Sequence, residues 1–206
     1  CKRKIWTMNH IDSWKNSKET FYMQLERNLH ELKTEYPPHW NNFVSFIKKY
    51  KPKRIVDIGC GAGVYKHISN NAADLDYVGY DYSDVAIDVA TEAWGKGFYV
   101  KDYKSLNSDD ILENDAIVCN ALCDVLPNGD ECMKHVLSLG CNNLLIQRVK
   151  IDDVSSTKTY QAYDIITYEF VHNKQQIVND AKNYNYNINF IHLYDNSYDI
   201  VLELRD

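Results

Sequence analysis

Three glycines at positions 59, 61 and 63, an aspartate two residues before the first and another eighteen residues beyond the last could together bring backbone close to a ligand and hold a ribose. Residues 54–65 read as a buried strand running into a glycine-rich turn that opens a helix. Gly59, Gly61 and Gly63 remove side chains where the backbone turns sharply and must approach a ligand closely. Asp57 sits just before that turn, too near it for an ordinary surface charge. A second apolar segment, Tyr77-Val78-Gly79-Tyr80, ends in Asp81. A carboxylate at the tip of a second strand is where a doubly wound fold holds a ribose.

The run Val56-Asp57-Ile58-Gly59-Cys60-Gly61-Ala62-Gly63 resembles motif I of the class I S-adenosylmethionine-dependent methyltransferases, and Asp81 resembles their second-strand acid. Nicotinamide and flavin enzymes also use glycine-rich turns, but usually as G-x-G-x-x-G without an acid two residues before the first glycine. The resemblance implies S-adenosyl-L-methionine as cofactor. The 59–63 backbone, Cys60 included, would approach its methionine moiety, Asp57 would accept hydrogen bonds near its ammonium, and Asp81 would accept from both ribose hydroxyls. Tyr82 is placed against an adenine face. Asp102, followed by Tyr103, resembles the acid that receives the adenine amine. Asn120 and Ala121, at the end of the fourth strand, would face the methionine end and the methyl group.

Methyl transfer is an in-line displacement from an activated sulfonium, so positioning supplies much of the catalysis. A base is needed when the acceptor is a hydroxyl. Asp124, four residues past the fourth strand, is the candidate, with a loop cap as its other reading. His135 and His172 are weaker candidates. Tyr160, Tyr163, Tyr168 and Glu169 follow the fifth strand, where such enzymes line the acceptor pocket, and Trp14, Phe21 and Tyr22 could close a lid. Asn120-Ala121-Leu122-Cys123 stands where amino methyltransferases of adenine or glutamine carry Asn/Asp-Pro-Pro-Tyr. Asp124, Lys150 and Glu169 or Asp199 only partly imitate the tetrad of RNA ribose methyltransferases. The expectation is methylation of an oxygen or nitrogen on a small-molecule or sugar-containing, glycan-type acceptor. An RNA cap or ribose methyltransferase domain of a larger protein and a non-catalytic, methyltransferase-like partner module are the alternatives. A nicotinamide dehydrogenase is disfavoured by the glycine spacing.

These residues need a scaffold, and 206 residues fit one domain with one sizeable core. An apolar fraction of 45% with 25% charged residues is that of a soluble globular protein. The net charge of −6 argues against a broad nucleic-acid footprint. Lys48, Lys49, Lys51, Lys53 and Arg54 cluster before the first core strand, as a solvated helix end would. No apolar run is long enough to span a bilayer. Lys2, Arg3 and Lys4 are not followed by the apolar stretch of a signal peptide. The chain starts at Cys1, compatible with processing or truncation and less readily with a lipid-anchored terminus. The six cysteines form no C-x-x-C pair. Cys119, Cys123 and Cys132 with His135 lack common zinc spacing. Reduced, buried thiols are therefore expected, with no metal and a cytoplasmic location.

Apolar spacing predicts helices over 18–35, ended by Pro37 and Pro38, and over 38–50. Together they form an extension or lid over 1–53, ahead of a core at 54–206. Strands are predicted at 54–58, 77–81, 97–101, 115–120 and 143–149, with helices near 63–70, 83–94, 129–139 and 173–184. Ser83 and Asn128 or Gly129 are candidate caps. Residues 152–163 read as a flexible loop, and 188–194 with 198–204 as an antiparallel hairpin. The fold class is α/β: a doubly wound, mostly parallel seven-stranded sheet with a C-terminal antiparallel hairpin, preceded by two N-terminal helices.

Overall fold

A computed structural model describes residues 14–205. A helical turn at 14–16 leads into α1 (Lys18–Lys33), which Ser17 caps by accepting from the Thr20 amide at 3.3 Å. After Pro37, α2 (Pro38–Tyr50) starts with proline in its first turn, where no amide partner is lost. The alternating region follows: β1 (Arg54–Ile58), α3 (Val64–Ala72), β2 (Asp76–Asp81), α4 (Asp84–Trp94), β3 (Phe98–Val100), β4 (Asp115–Asn120), α5 (Gly129–Ser138) and β5 (Asn143–Asp152). Ser83 caps α4, as expected, through the Ala86 amide at 3.2 Å. Asn128 occupies the cap position of α5 without capping it, its side-chain amide going to Glu131 instead.

The sheet has nine strands rather than seven. Beyond the expected set lie β6 (Ser156–Ala162), within the 152–163 stretch that reads as a loop, and its antiparallel partner β7 (Ile165–Asn173), just after it. Every residue from Ser156 to Gln161 is exposed, so β6 lacks the half-buried alternation by which strands announce themselves. Its ladder with β7 holds it in place, and Thr157, Thr159 and Tyr160 suit such a pairing. After β7 come α6 (Lys174–Asn183), β8 (Tyr186–Tyr194) and β9 (Ser197–Leu204). Strand order is β3-β2-β1-β4-β5, all parallel, and β9 then runs antiparallel between β5 and β8. β4 pairs with the first half of β5, and β7 pairs with its last three residues, Lys150 to Asp152.

Parallel strands buried on both faces form two core layers. Ile55, Ala116, Val118 and Leu145 pack with Trp40, Phe43 and Ile47 of α2 and Tyr65 and Ile68 of α3. Val56, Ile117, Leu144 and Ile146 pack on the opposite face with Met133, Val136 and Leu137 of α5 and Ile177 of α6. Cys119, Cys123 and Cys132 are free, buried thiols of this second layer. Asp115 is structural: it takes two bonds from Arg54, at 3.1 and 2.5 Å, and one from the Leu112 amide at 2.7 Å. No helix among the described residues is long and apolar enough to cross a membrane.

Candidate functional site

The carboxyl ends of β1, β2, β4 and β5 open into one cavity of about 450 Å³, roofed by α1 and by the tip of the β6–β7 hairpin. This is where an open parallel sheet binds ligands. At one end stand the loop after β1 and the Asp81 carboxylate. Gly59 and Gly61 lie in the left-handed region, at φ +75° and +50°. A side chain at Gly61 would start 2.6 Å from the Gln24 oxygen, which itself accepts from the Ala62 amide at 2.8 Å. Helix α1 thus rests directly on the loop. Gly63 serves packing rather than the cavity: a Cβ there would fall 2.7 Å from the Phe98 ring.

Asp81 is buried and accepts from the Gly61 and Ser83 amides, each at 3.0 Å. Burial nonetheless pushes its carboxyl up to about 6. Asp57 is almost fully buried and accepts from the Tyr77 hydroxyl at 2.6 Å, and burial lifts it to about 7. Neither carboxylate has a cationic partner within ion-pair distance among the described residues. Asn120 ends β4 with its side-chain oxygen buried and unbonded. Ala121 follows at φ +51°, its amide held by the Gln147 carbonyl at 3.1 Å. Left-handed non-glycine residues are costly, and such strain gathers at functional sites. Tyr82, Asp102 and Tyr103 line the same end. Asp102 also caps the turn at 103–105 through the Lys104 amide at 2.9 Å, and Tyr103 meets the His135 ring edge-on.

The family model described as Ribosomal protein L11 methyltransferase (PrmA) matches residues 43–181, from α2 to the last helix. The chain belongs to this family of class I S-adenosylmethionine-dependent methyltransferases. Solved structures share its fold at low identity. An S-adenosylmethionine-dependent methyltransferase from Clostridium acetobutylicum aligns at TM-score 0.63 and 11% identity, covering 91% of this chain and 99% of its own. Magnesium protoporphyrin IX methyltransferase (ChlM) from Synechocystis, with S-adenosylhomocysteine bound, gives 0.56 and 14% over 81% of each chain. The N-terminal domain of EvdMO1, crystallised in the presence of S-adenosylhomocysteine and D-fucose, gives 0.59 and 12%, covering 84% and 85%.

In this methyltransferase the cavity gathers Asp57, Gly59, Cys60, Gly61, Asp81, Tyr82, Asp102, Tyr103, Asn120 and Ala121, but not Gly63 or Asp124. The neighbouring Leu122, Val125 and Leu126 line the cavity, while Asp124 itself does not. It is buried with one oxygen unbonded, lifted to about 6 by burial, and faces the Arg148 guanidinium. Tyr160, Tyr163, Trp14 and Phe21 line the cavity. Tyr168 and Glu169 do not, Glu169 pairing with Lys158 at 2.9 Å, and Tyr22 reaches Glu92 at 2.8 Å instead. His135 contacts the Leu106 carbonyl at 3.1 Å and His172 pairs with Asp130 at 2.8 Å, both away from the cavity. Of the partial tetrad, Asp124, Lys150, Glu169 and Asp199 all lie off the cavity wall.

Sequence reading passed over Gln24, Arg27, Asn28, Glu31, His39 and Arg148, all of which line the cavity. Arg148 carried a signal. Gln147-Arg148 interrupts Leu144-Leu145-Ile146…Val149, a run otherwise fit for a strand buried on both faces.

Proposed function

We propose that this enzyme transfers the methyl group of S-adenosylmethionine to an oxygen or nitrogen of a small-molecule or sugar-type acceptor. The observation that carries the reading is a single cavity joining unpaired acid groups and an orphaned amide oxygen to an arginine- and tyrosine-lined chamber under a roof. Its volume falls in the ~300–1,000 Å³ range of small-molecule sites. The roof made by α1 and the β6–β7 tip favours a compact acceptor over a folded protein or an RNA duplex. The acidic chain and the scattered positions of Asp124, Lys150, Glu169 and Asp199 weigh the same way.

The cavity residues fit the donor. The unbonded Asn120 oxygen and the Asp57 carboxylate suit an ammonium, and the Asp81 carboxylate, with oxygen lone pairs beyond those used by the Gly61, Tyr82 and Ser83 amides, suits ribose hydroxyls. Tyr82 and Tyr103 offer faces to adenine, and Asp102 offers an acceptor for its amine. Left-handed Gly59 and Gly61 let the backbone approach where a side chain would stand. When bound, the cofactor supplies an electrophilic methyl on a sulfonium. The chain's own contribution is to fix the acceptor atom in line with that methyl and to keep water out through α1 and the hairpin tip. Asp124 acts electrostatically on Arg148 and Tyr160, two residues of the cavity wall.

Calorimetric titration with S-adenosylmethionine, S-adenosylhomocysteine and NAD tests the reading. Micromolar binding of the first two, at least tenfold weaker in Asp81→Ala, and none of NAD is the expected result. Folded protein that binds neither would overturn it.

A further inference from the structure

At the end of the cavity remote from Asp81, β5 breaks its ladder with β9. Register shifts between Ile146 and Val149, and Arg148 takes φ +60° inside this bulge. Bulges re-aim side chains, and this one turns Arg148 into the cavity. The bulge is built from a buried network. Fully buried Asp199 accepts from the Arg148 amide at 3.0 Å, from Gln147 at 2.8 Å and from Asn42 at 2.8 Å. Gln147 in turn donates to the His39 carbonyl at 2.7 Å and accepts from the Tyr65 hydroxyl at 2.6 Å.

All this holds an arginine whose guanidinium is only partly engaged, by the Tyr194 hydroxyl. Its Nε is buried without a hydrogen-bond partner, and no carboxylate oxygen among the described residues lies within 4.0 Å of its guanidinium. Asp124 and the Tyr65 phenol face it, and the Tyr194 phenol is its side-chain hydrogen-bond partner, which leaves the remaining guanidinium donors for a ligand. Across the cavity stands Arg27 of α1, close enough for the two cations to repel, with its Nε tied to Glu31 at 2.9 Å. His39 between them is held neutral, down to about 3, first by burial and then by both arginines. Two guanidinium groups turned towards one cleft, with tyrosines on its walls, make a receptor for a planar or tetrahedral oxyanion.

We propose that the acceptor is an anion, and that Arg148, faced by Arg27, binds its carboxylate or phosphate group in the chamber beside Asn120. The inference rests on the methyltransferase reading for the word acceptor, while the oxyanion site stands on its own geometry.

The test titrates benzoate, phenyl phosphate and neutral benzamide into the protein, with and without saturating S-adenosylhomocysteine. Binding is read by calorimetry for wild type, Arg148→Met and Arg148→Lys. Benzoate or phenyl phosphate is expected to bind at least tenfold more tightly than benzamide. That preference should vanish in Arg148→Met and survive in part in Arg148→Lys, while S-adenosylhomocysteine affinity stays within threefold. Preference for one anion over the other identifies the acceptor's group. Equal binding of anions and benzamide, or full anion binding by Arg148→Met, overturns the proposal. Should the methionine variant not fold, the wild-type comparison of anion with benzamide decides, with Arg27→Met as the second variant. Failure of S-adenosylhomocysteine to bind sinks the transferase reading alone, since the anions are also titrated into unliganded protein.

Discussion

Asp57 and Asp81 are buried acids without cationic partners, and the unliganded protein bears that cost as their charge develops. Their carboxyls stand at about 7 and about 6, above the 3.8 of a free aspartate. A raised acid favours folding fully below pH 3.8, and that contribution is lost as pH climbs through 6 and 7. Around Asp57 lie Tyr77, Cys60 and Asp81, none of them cationic. His39 runs the other way, its contribution present above its ordinary 6.5 and lost as pH falls towards 3, so a single melting curve mixes both trends. A difference between variants separates them. Asp57→Asn keeps an oxygen for the Tyr77 hydroxyl and removes the charge. By scanning calorimetry it is expected to melt with wild type at pH 4 and above it at pH 7.5, by about 2–4 °C for each kcal/mol recovered. Equal melting at both values would show that Asp57 carries no strain. An ammonium placed near this carboxylate would favour its charged form, so S-adenosylmethionine affinity is expected to rise from pH 5.5 to 7.5 in wild type and to rise less in Asp57→Asn, where Asp81 alone of the two still titrates in that window.

The loop from Asn120 to Gly129 joins β4 to α5 and forms the cavity floor, and its shape depends on the first residue of that helix. A Cβ at Gly129 would start 2.0 Å from the Cys123 carbonyl and 2.8 Å from the Phe170 ring. The carbonyl is backbone and cannot swing aside, so the loop must move. The Asp124 carbonyl, next in the chain, accepts the Phe170 amide at 2.7 Å, and the movement would pass to β7. Gly129→Ala is expected to cost about 1–3 kcal/mol, the range for overpacked cores. It should weaken benzoate or phenyl phosphate binding more than that of S-adenosylhomocysteine. Unchanged melting would refute the packing argument. This dependence explains which parts of the site the sequence exposed. Asp57, Gly59, Gly61 and Asp81 line the cavity as expected because each sits at a strand end with local punctuation. Asp124 and Gly63 stand off the cavity lining because whether a residue faces the cavity is decided by tertiary packing, beside Arg148 in one case and Phe98 in the other. Arg148 was missed because a bulge aims it, and the bulge depends on Asp199, fifty-one residues away. Strand β6 was missed because a strand exposed along nearly its whole length shows no periodicity, although Thr157, Thr159 and Tyr160 have the right character.

The roof closes across the whole length of the chain. Asp164, at the hairpin turn, accepts from the hydroxyls of Ser17 and Thr20 at the start of α1. The Trp14 indole donates to Thr167 at 2.8 Å, its ring meets Tyr163 edge-on, and the Lys15 carbonyl accepts from Ser83 at 2.8 Å. Tyr163 adopts φ +54° at that turn, which brings its ring under the roof. These ties are mostly polar and few, with β6 exposed outside them. Such a segment opens at far lower free energy than the sheet beneath it. Helix α1 and the hairpin tip cover the cavity that holds Asp81, so an opening there would ease the passage of ligand. Hydrogen exchange is expected to slow together over residues 14–28 and 160–167 when S-adenosylhomocysteine binds. Asp164→Ala releases both hydroxyls at once and should quicken exchange in both segments. Because an easier opening speeds entry and escape alike, it should raise association and dissociation rates several-fold each and leave the affinity within tenfold of wild type. Protection confined to the 59–63 loop, or a variant that speeds dissociation alone, would mean that the two segments do not move as one gate.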